Sequence, residues 1–305
     1  MSTSIDMMKP TGPGRPGDEP PPRRAGPFSR QNFAGTMIGG YLPLVLATLV
    51  VVLPLLYMVL SSFKSTGDLV TQDLVVFPSA WKPSNYADAA ERVPFPRLFL
   101  NSLIVTAIGA GVKVFLAIIT AYALVFVRFP GKKYIFWGIL ATLMVPPQVS
   151  VLPNYIFITG LGGQDTYWGI ILPGLGTGFG TFLLRQSFLT LPASIVEAAE
   201  IDGAGHWKRM WRVVVPISLP AIATVALVNV VFEWNDYLWP LVIVSNPDMM
   251  TLPVGLTLLS NSESSVSSYG IVMAGTVLVV VPVLIVFAAL QRHIVSGLTQ
   301  GAVKD

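Results

Sequence analysis

Six stretches of this chain are almost free of charge, and each is long enough to cross a bilayer, which takes ~20 apolar residues as a helix. Hydrocarbon offers no partner to an unpaired backbone amide, so a segment of this kind has few folded forms other than a spanning helix. Gln31 to Phe63 carries no charge, Leu98 to Val127 carries only Lys113, and Tyr134 to Gln164 and Thr166 to Leu184 carry none. Val213 to Phe232 is also clean and continues to about Val244 across Glu233 and Asp236, and the last stretch runs from Ser264 to Gln291. The expectation is an all-α membrane protein with six transmembrane helices, placed near 40–60, 99–125, 134–158, 167–188, 217–243 and 270–290. Only 11% of the 305 residues are charged, against ~25% in soluble domains, which excludes a soluble enzyme. The absence of cysteine removes thiol catalysis, disulfides and Cys zinc sites, and the two histidines, His206 and His293, lie far apart. No catalytic, cofactor or metal site is expected.

Positive charge stays on the cytoplasmic side of a membrane, so the connections can be assigned to faces. Lys9, Arg15, Arg23, Arg24 and Arg30 lie in the amino tail, and Arg128, Lys132 and Lys133 in the second connection. Arg185, Lys208, Arg209 and Arg212 lie in the fourth, and Arg292 and Lys304 in the carboxyl tail. The other face has Lys64, Lys82, Arg92 and Arg97, all in one loop that also carries acids. Both termini are therefore expected in the cytoplasm, with the chain multi-pass in a prokaryotic plasma (inner) membrane. Residues 1–35 read as a disordered Pro- and Arg-rich tail, 36–292 as the six-helix domain and 293–305 as a second cytoplasmic tail. The first apolar run is too long for a cleaved signal peptide. The outer loop from Ser61 to Arg97 sets prolines beside Trp81, Tyr86 and Phe95, which suits either a partner-facing surface or a structured cap over the helix ends.

A transporter needs an energy source, and the phosphate-cradling pattern Gly, four residues, Gly-Lys-Ser/Thr is missing: the one Gly-Lys, Gly131-Lys132, is followed by Lys133. Energy must come from an ion gradient or from another subunit. The cytoplasmic connection over 190–216 is long for a helix bundle, where 2–8 residues are usual. It reads as a helix begun by Pro192 and Ser194, with Glu197 and Glu200 toward its positive end, a turn at Gly203 and Gly205, and a second helix.

This loop resembles that of the permease subunits of binding-protein-dependent ABC importers, in the sugar group typified by the maltose permeases. Their Glu-Ala-Ala, three residues, Gly pattern is matched by Glu197, Ala198, Ala199 and Gly203, and the later Ile-x-Leu-Pro is relaxed to Val213-Val214-Val215-Pro216. Further matches are Phe77-Pro78 through Asn85-Tyr86, Asn101-Ser102, Arg128-Phe129-Pro130, the run Trp234-Asn235-Asp236-Tyr237-Leu238-Trp239-Pro240, and Gln291-Arg292 through Gly297-Leu298-Thr299 to Lys304. The resemblance covers about residues 40–304. It implies the type I ABC importer permease architecture, import of a sugar or related polyol such as a glycerol-phosphate-type solute, and no enzymatic activity in this chain. Its implied partners are a second homologous permease, a cytoplasmic ATP-binding subunit dimer that uses ATP and Mg, an extracytoplasmic solute-binding protein and the lipid bilayer, with no nucleic acid. ATPase coupling would fall to Glu197, Ala198, Ala199, Asp202 and Gly203 in a docking helix over 193–205, with Gln300 and Lys304 of the tail as a second contact. An acidic helix suits a protein groove better than an anionic membrane surface.

Lys113, Glu233 and Asp236 are ionisable groups inside spans, where such groups face a cavity, a partner or the interface. Counted from Pro216, Glu233 lies 17 residues on, or ~25 Å at 1.5 Å per residue. That depth suits an aromatic belt of Trp234, Tyr237 and Trp239. It equally suits a translocation path in which Glu233, Trp234, Asn235, Asp236 and Tyr237 meet the solute, with Trp234 or Tyr237 stacking on a sugar ring. Lys113 is expected to pair across helices or to snorkel. Gly35-x-x-x-Gly39 and Gly176-x-x-x-Gly180 are expected to pack helices, and Pro146-Pro147 and Pro173 to kink them. The rival to the importer is a self-sufficient carrier with Glu233 and Asp236 as a proton relay.

Overall fold

The computed structural model describes residues 37–71, 73, 75–261 and 269–299. The amino tail, Gln300 and Lys304 lie outside the described residues. All regular structure among them is helical. The chain divides into a unit through Leu56 and a second from Tyr57 onward. In the first, a π-turn at Met37–Tyr41 leads into α1, Leu42–Ser61. Its Leu44, Val50, Val51 and Leu53 are all exposed, so apolar side chains cover every face, as lipid solvent permits and water does not.

The second unit is organised around α4, Phe95–Phe126, long enough to cross the bilayer unbroken. Before it, α2 (Thr66–Val70) and α3 (Ser84–Arg92) order the outer loop as a cap. Asn85 Nδ2 donates to the carbonyls of Ser62 and Lys64 at 2.8 and 3.0 Å, and Tyr86 bonds Ser62 through the hydroxyls at 2.8 Å. Lys64 is fully buried, donating to Val75 O at 2.6 Å and lying 4.1 Å from the Tyr57 ring centre. The pairs Asn85-Tyr86 and Asn101-Ser102 thus serve structure: Asn101 donates to Asp248 O and Met250 O, and Ser102 Oγ accepts from Leu252 N–H.

Three of the six expected crossings are broken rather than straight. The third runs as α5 (Lys132–Leu143), then a 3₁₀ turn and α6 (Val151–Gly160), with a 91° bend. The fourth is α7 (Tyr167–Ile171) with a 3₁₀ turn, bent by 48° from α8 (Gly178–Leu189). The breaks fall at Pro146-Pro147 and just after Pro173, where the ring removes a donor and clashes with the preceding turn. The fifth expected span also needs correcting. The stretch His206–Ile217 is bent by 83° from Leu219–Ile243, so the crossing starts at Leu219, beyond Pro216. Its parts are α11 (Leu219–Asn235) and α12 (Leu238–Ile243), separated at Asp236-Tyr237. A sixth apolar helix, α14 (Tyr269–Thr299), follows α13 (Leu252–Asn261).

Where α4, α8 and α11 meet, a methyl added to Gly180 would lie 3.1 Å from both Ala117 Cβ and Val225 Cγ1. Small residues therefore set this contact, since in lipid the helices gain from close packing rather than from leaving water. Ala117, Ala121, Leu184, Phe188, Val214 and Val225 are buried around it. Gly176 does not share this role, because a methyl there would meet nothing within 4 Å and the residue ends the 3₁₀ turn before α8.

Candidate functional site

The helix breaks converge. The 3₁₀ turn at Pro147–Ser150, the turn at Leu172–Leu175 and the end of α11 surround a cavity of about 880 Å³. Irregular backbone at membrane depth survives where it lines such a space, because water or solute satisfies the freed amides. The polar wall consists of Glu233, Asn235 and Asp236, three of the five residues the sequence offered for a path, with Lys113, which it offered only as a pairing or snorkelling group, and with Thr142, Ser150 and Asn154, which it did not offer. Gln148 lines an adjoining lobe that shares Lys113, Asn154, Glu233 and Asp236. A signal for these existed: Gln148 and Ser150 directly follow the double proline, and Asn154 is an amide inside an uncharged run.

Lys113 Nζ donates to Glu233 Oε1 in an ion pair between α4 and α11, with 14% and 11% of the side chains exposed. Gly109 makes room for it, since a methyl there would lie 2.7 Å from Glu233 Oε2. Asp236 forms no ion pair among the described residues.

Trp234 is a correction to both sequence alternatives, and Trp239 to the aromatic belt. The Trp234 indole is buried, donating to Val279 O at 3.2 Å and packing edge-on to Phe99 at 5.7 Å. Trp239 donates to the carbonyls of Gly169 and Ile170. Neither indole forms an interfacial belt, and Trp234 is not in the cavity wall; it locks α11 to α14. Tyr237 is partly exposed and also stands outside the lining.

At the other end of the unit lies α9, Ala193–Ile201, whose end is closed by a left-handed Gly203 at φ 75°. Ala204 N–H reaches Ala199 O and Gly203 N–H reaches Glu200 O, both at 3.0 Å. This is a Schellman closure, in which glycine takes the left-handed residue without a Cβ penalty. Pro192 occupies the N-cap and no side chain caps the helix, so Ser194 is not the start signal it was read to be. Glu200 bonds a side chain rather than serving the helix dipole: it accepts from Arg209 of α10 (His206–Arg209) at 2.6 Å. Arg209 and Tyr122 of α4 each lie 3.3 Å from His206 Nδ1. Outward, Glu197, Ala198, Asp202 and Gly203 are exposed beside Ile201 and Trp207, 86% and 63% exposed.

A helical chain whose apolar spans break around a polar cavity, with an exposed helix tied to one of them, has the layout of a membrane transport subunit. Residues 113–300 match the family described as binding-protein-dependent transport system inner membrane component, and the chain belongs to it. It is similar to the sn-glycerol-3-phosphate transport system permease protein UgpE of Brucella suis biovar 1 (strain 1330), 34% identical over 86% of this chain and 95% of that one. It is similar also to the diacetylchitobiose uptake system permease protein NgcG of Streptomyces coelicolor (strain ATCC BAA-471 / A3(2) / M145), 33% identical over 91% of each. Among solved structures, a bacterial ABC transporter involved in the import of the acidic polysaccharide alginate aligns at a TM-score of 0.74 and 26% identity, covering 87% of this chain and 98% of that chain. The chain is therefore a membrane-embedded transport subunit of an ATP-driven importer fed by a binding protein, and not an enzyme. The proton-coupled carrier falls with this finding.

Proposed function

We propose that the transported solute, a sugar or related polyol, crosses through the cavity beside Lys113, Glu233, Asn235 and Asp236. The observation that carries this reading is the convergence on one polar space of two bent spans and of the interruption between α11 and α12. The relatives are named for such solutes, but the names divide by charge: a phosphate ester, an acidic polysaccharide and an uncharged amide sugar.

In the same reading the chain pairs with a second, homologous permease, both termini are cytoplasmic, and ATP and Mg are handled by a separate ATPase pair. The exposed strip Glu197, Ala198, Asp202 and Gly203, with Ile201, docks on that ATPase. Glu200, Arg209, His206 and Tyr122 would carry its movement to α4, the helix that also bears Lys113. The tail residues Gln300 and Lys304 add a second ATPase contact. ATP binding favours one arrangement of the permeases and the loaded binding protein stabilises its outward opening, so transport follows from differential affinity for two states.

The natural chain has no cysteine, which gives a clean test. Asn235→Cys in the reconstituted importer should react with a polar methanethiosulfonate reagent, at a rate that changes with ATP. A rate unaffected by nucleotide would count against the path. For coupling, Glu197→Lys or Gly203→Asp should leave the assembly in the membrane but abolish most uptake; full uptake in both variants would sink the docking assignment.

A further inference from the structure

We propose that this chain's wall of the cavity selects uncharged, hydroxyl-rich solutes and rejects anionic ones, with Asp236 and the Lys113–Glu233 pair setting that choice. The proposal rests on the reading that the solute crosses this cavity. The ionisable groups of the wall are Lys113, Glu233 and Asp236. The one cation is committed, since Lys113 donates to Glu233 and both side chains are mostly buried. Asp236 remains, with no ion pair among the described residues. An approaching solute therefore meets a surplus carboxylate and no free cation.

Backbone does not reverse the balance. Three helical segments begin at the cavity or its lobe, α6 at Val151, α8 at Gly178 and α12 at Leu238, and three end there, α5 at Leu143, α11 at Asn235 and the turn after α7 at Leu175. Each terminus carries a partial charge of at most about half, positive at starts and negative at ends, so the six oppose one another. The side chains then decide the sign. A cleft with low-dielectric walls and one sign of net charge focuses that potential, and salt screens it poorly at this depth. Anion sites are normally built from an Arg fork, a free Lys or uncancelled N–H groups. The remaining polar groups, Thr142, Gln148, Ser150, Asn154 and Asn235, are amides and hydroxyls, which donate to and accept from sugar hydroxyls.

The test uses proteoliposomes holding the whole importer: this chain, its permease partner, the ATPase pair and the binding protein. Radiolabelled maltose, diacetylchitobiose, glycerol 3-phosphate and a glucuronate disaccharide are supplied one at a time. ATP-dependent uptake of an uncharged probe is expected, with both anions at least tenfold slower. Anion uptake at a comparable rate, or uptake of no probe by an assembly with active ATPase, overturns the proposal and leaves the importer reading standing. A chain that retains no ATP-binding subunit counts against that reading instead.

A second measurement removes the binding protein's own selectivity. In assemblies without it, labelling of an Asn154→Cys variant is challenged with maltose or the glucuronate disaccharide. The neutral sugar should protect at least tenfold more effectively, and Asp236→Asn should narrow that ratio by about tenfold. Equal protection, protection by neither, or a ratio unmoved by Asp236→Asn overturns the proposal.

Discussion

Two ion pairs, Lys113–Glu233 and Glu200–Arg209, hold the chain at opposite scales. The first joins residues 120 apart in sequence, linking α4 to α11 across the wall of the cavity. The second joins residues nine apart and closes a local turn outside the membrane. Burial differs as well: both partners of the first are mostly enclosed, whereas Glu200 is 65% exposed against 8% for Arg209. A doubly buried pair is costly to open, because each charge is then left in a low dielectric. A pair with one partner in water gives way at little cost, which suits a segment that must shift against a partner. The difference separates a fixed wall from a movable link.

The sharpest way to break this comparison is to remove one partner of the enclosed pair. Glu233→Ala leaves Lys113 buried and uncompensated, which costs about 3–5 kcal/mol in comparable sites. The expected result is a large fall in the yield and melting temperature of the purified importer. Replacing both partners with apolar residues, Lys113→Met with Glu233→Leu, should recover most of the loss, since the uncompensated charge is gone. A single variant as stable as the wild type would mean that the pair is not enclosed in the assembled protein.

The local pair should respond less and asymmetrically. Arg209→Ala removes a buried guanidinium with bonds to Glu200 and His206, and a loss of about 1–2 kcal/mol is expected after allowing for the exposed partner. Glu200→Ala should cost under about 1 kcal/mol. Both are read from melting curves, with ATP-dependent uptake measured alongside. Uptake should fall further than stability does if the pair links α9 to α4. Equal stability losses in the two variants would erase the asymmetry.

The two regions were also unequally legible in the sequence. The α9 turn is local: Gly203 stands where a helix must end in a left-handed residue, and its partners Ala199 and Glu200 lie within one turn. The positions of two straight spans and three bent ones were legible too, because charge avoidance acts on every residue of a span. What stayed hidden depends on tertiary contact. Nothing near Trp234 in sequence says that its indole reaches Val279 O on α14 while its neighbours Glu233 and Asn235 face the cavity. Helix periodicity allows either direction, and only packing chooses. Likewise Gly109 reads as one small residue among many, yet it clears the space that Glu233 occupies. The 83° bend at Ser218 lies between Pro216 and Pro220, residues as common at span ends as at corners.

Gly203 offers a third, smaller test. A methyl there would meet nothing within 4 Å, so the cost of Gly203→Ala is the left-handed backbone alone, about 1–2 kcal/mol. Gly203→Asn should cost less, because a short polar side chain tolerates that region. Uptake should rank wild type, Asn, Ala. An alanine variant equal to wild type in both stability and uptake would show that the left-handed turn is not kept in the working importer.

The smallest effect concerns a carboxylate that forms no ion pair among the described residues. Asp68 caps α2, accepting from Ser79 Oγ at 2.6 Å, from Ser79 N–H at 3.3 Å and from Ser65 N–H at 3.4 Å. The Ser79 hydroxyl contributes most to holding its pKa below the ordinary aspartate value. A depressed folded value means that the ionised form supports the fold. The contribution is therefore complete above the unfolded pKa, near 3.9, and is lost as pH falls through the lower folded one. Asp68 is half-buried at the surface, so the effect should be local, without a shift in global melting. The protection factor of the Ser79 amide, its exchange relative to the intrinsic rate at the same pH, should fall on acidification below about pH 4, and an Asp68→Asn variant should show the lower protection already at neutral pH. A protection factor at Ser79 that ignores both pH and the substitution would mean that Asp68 does not hold this outer loop. An uncharged-partner cap would then join the local link as a contact that opens cheaply, in contrast to the enclosed pair beside the cavity.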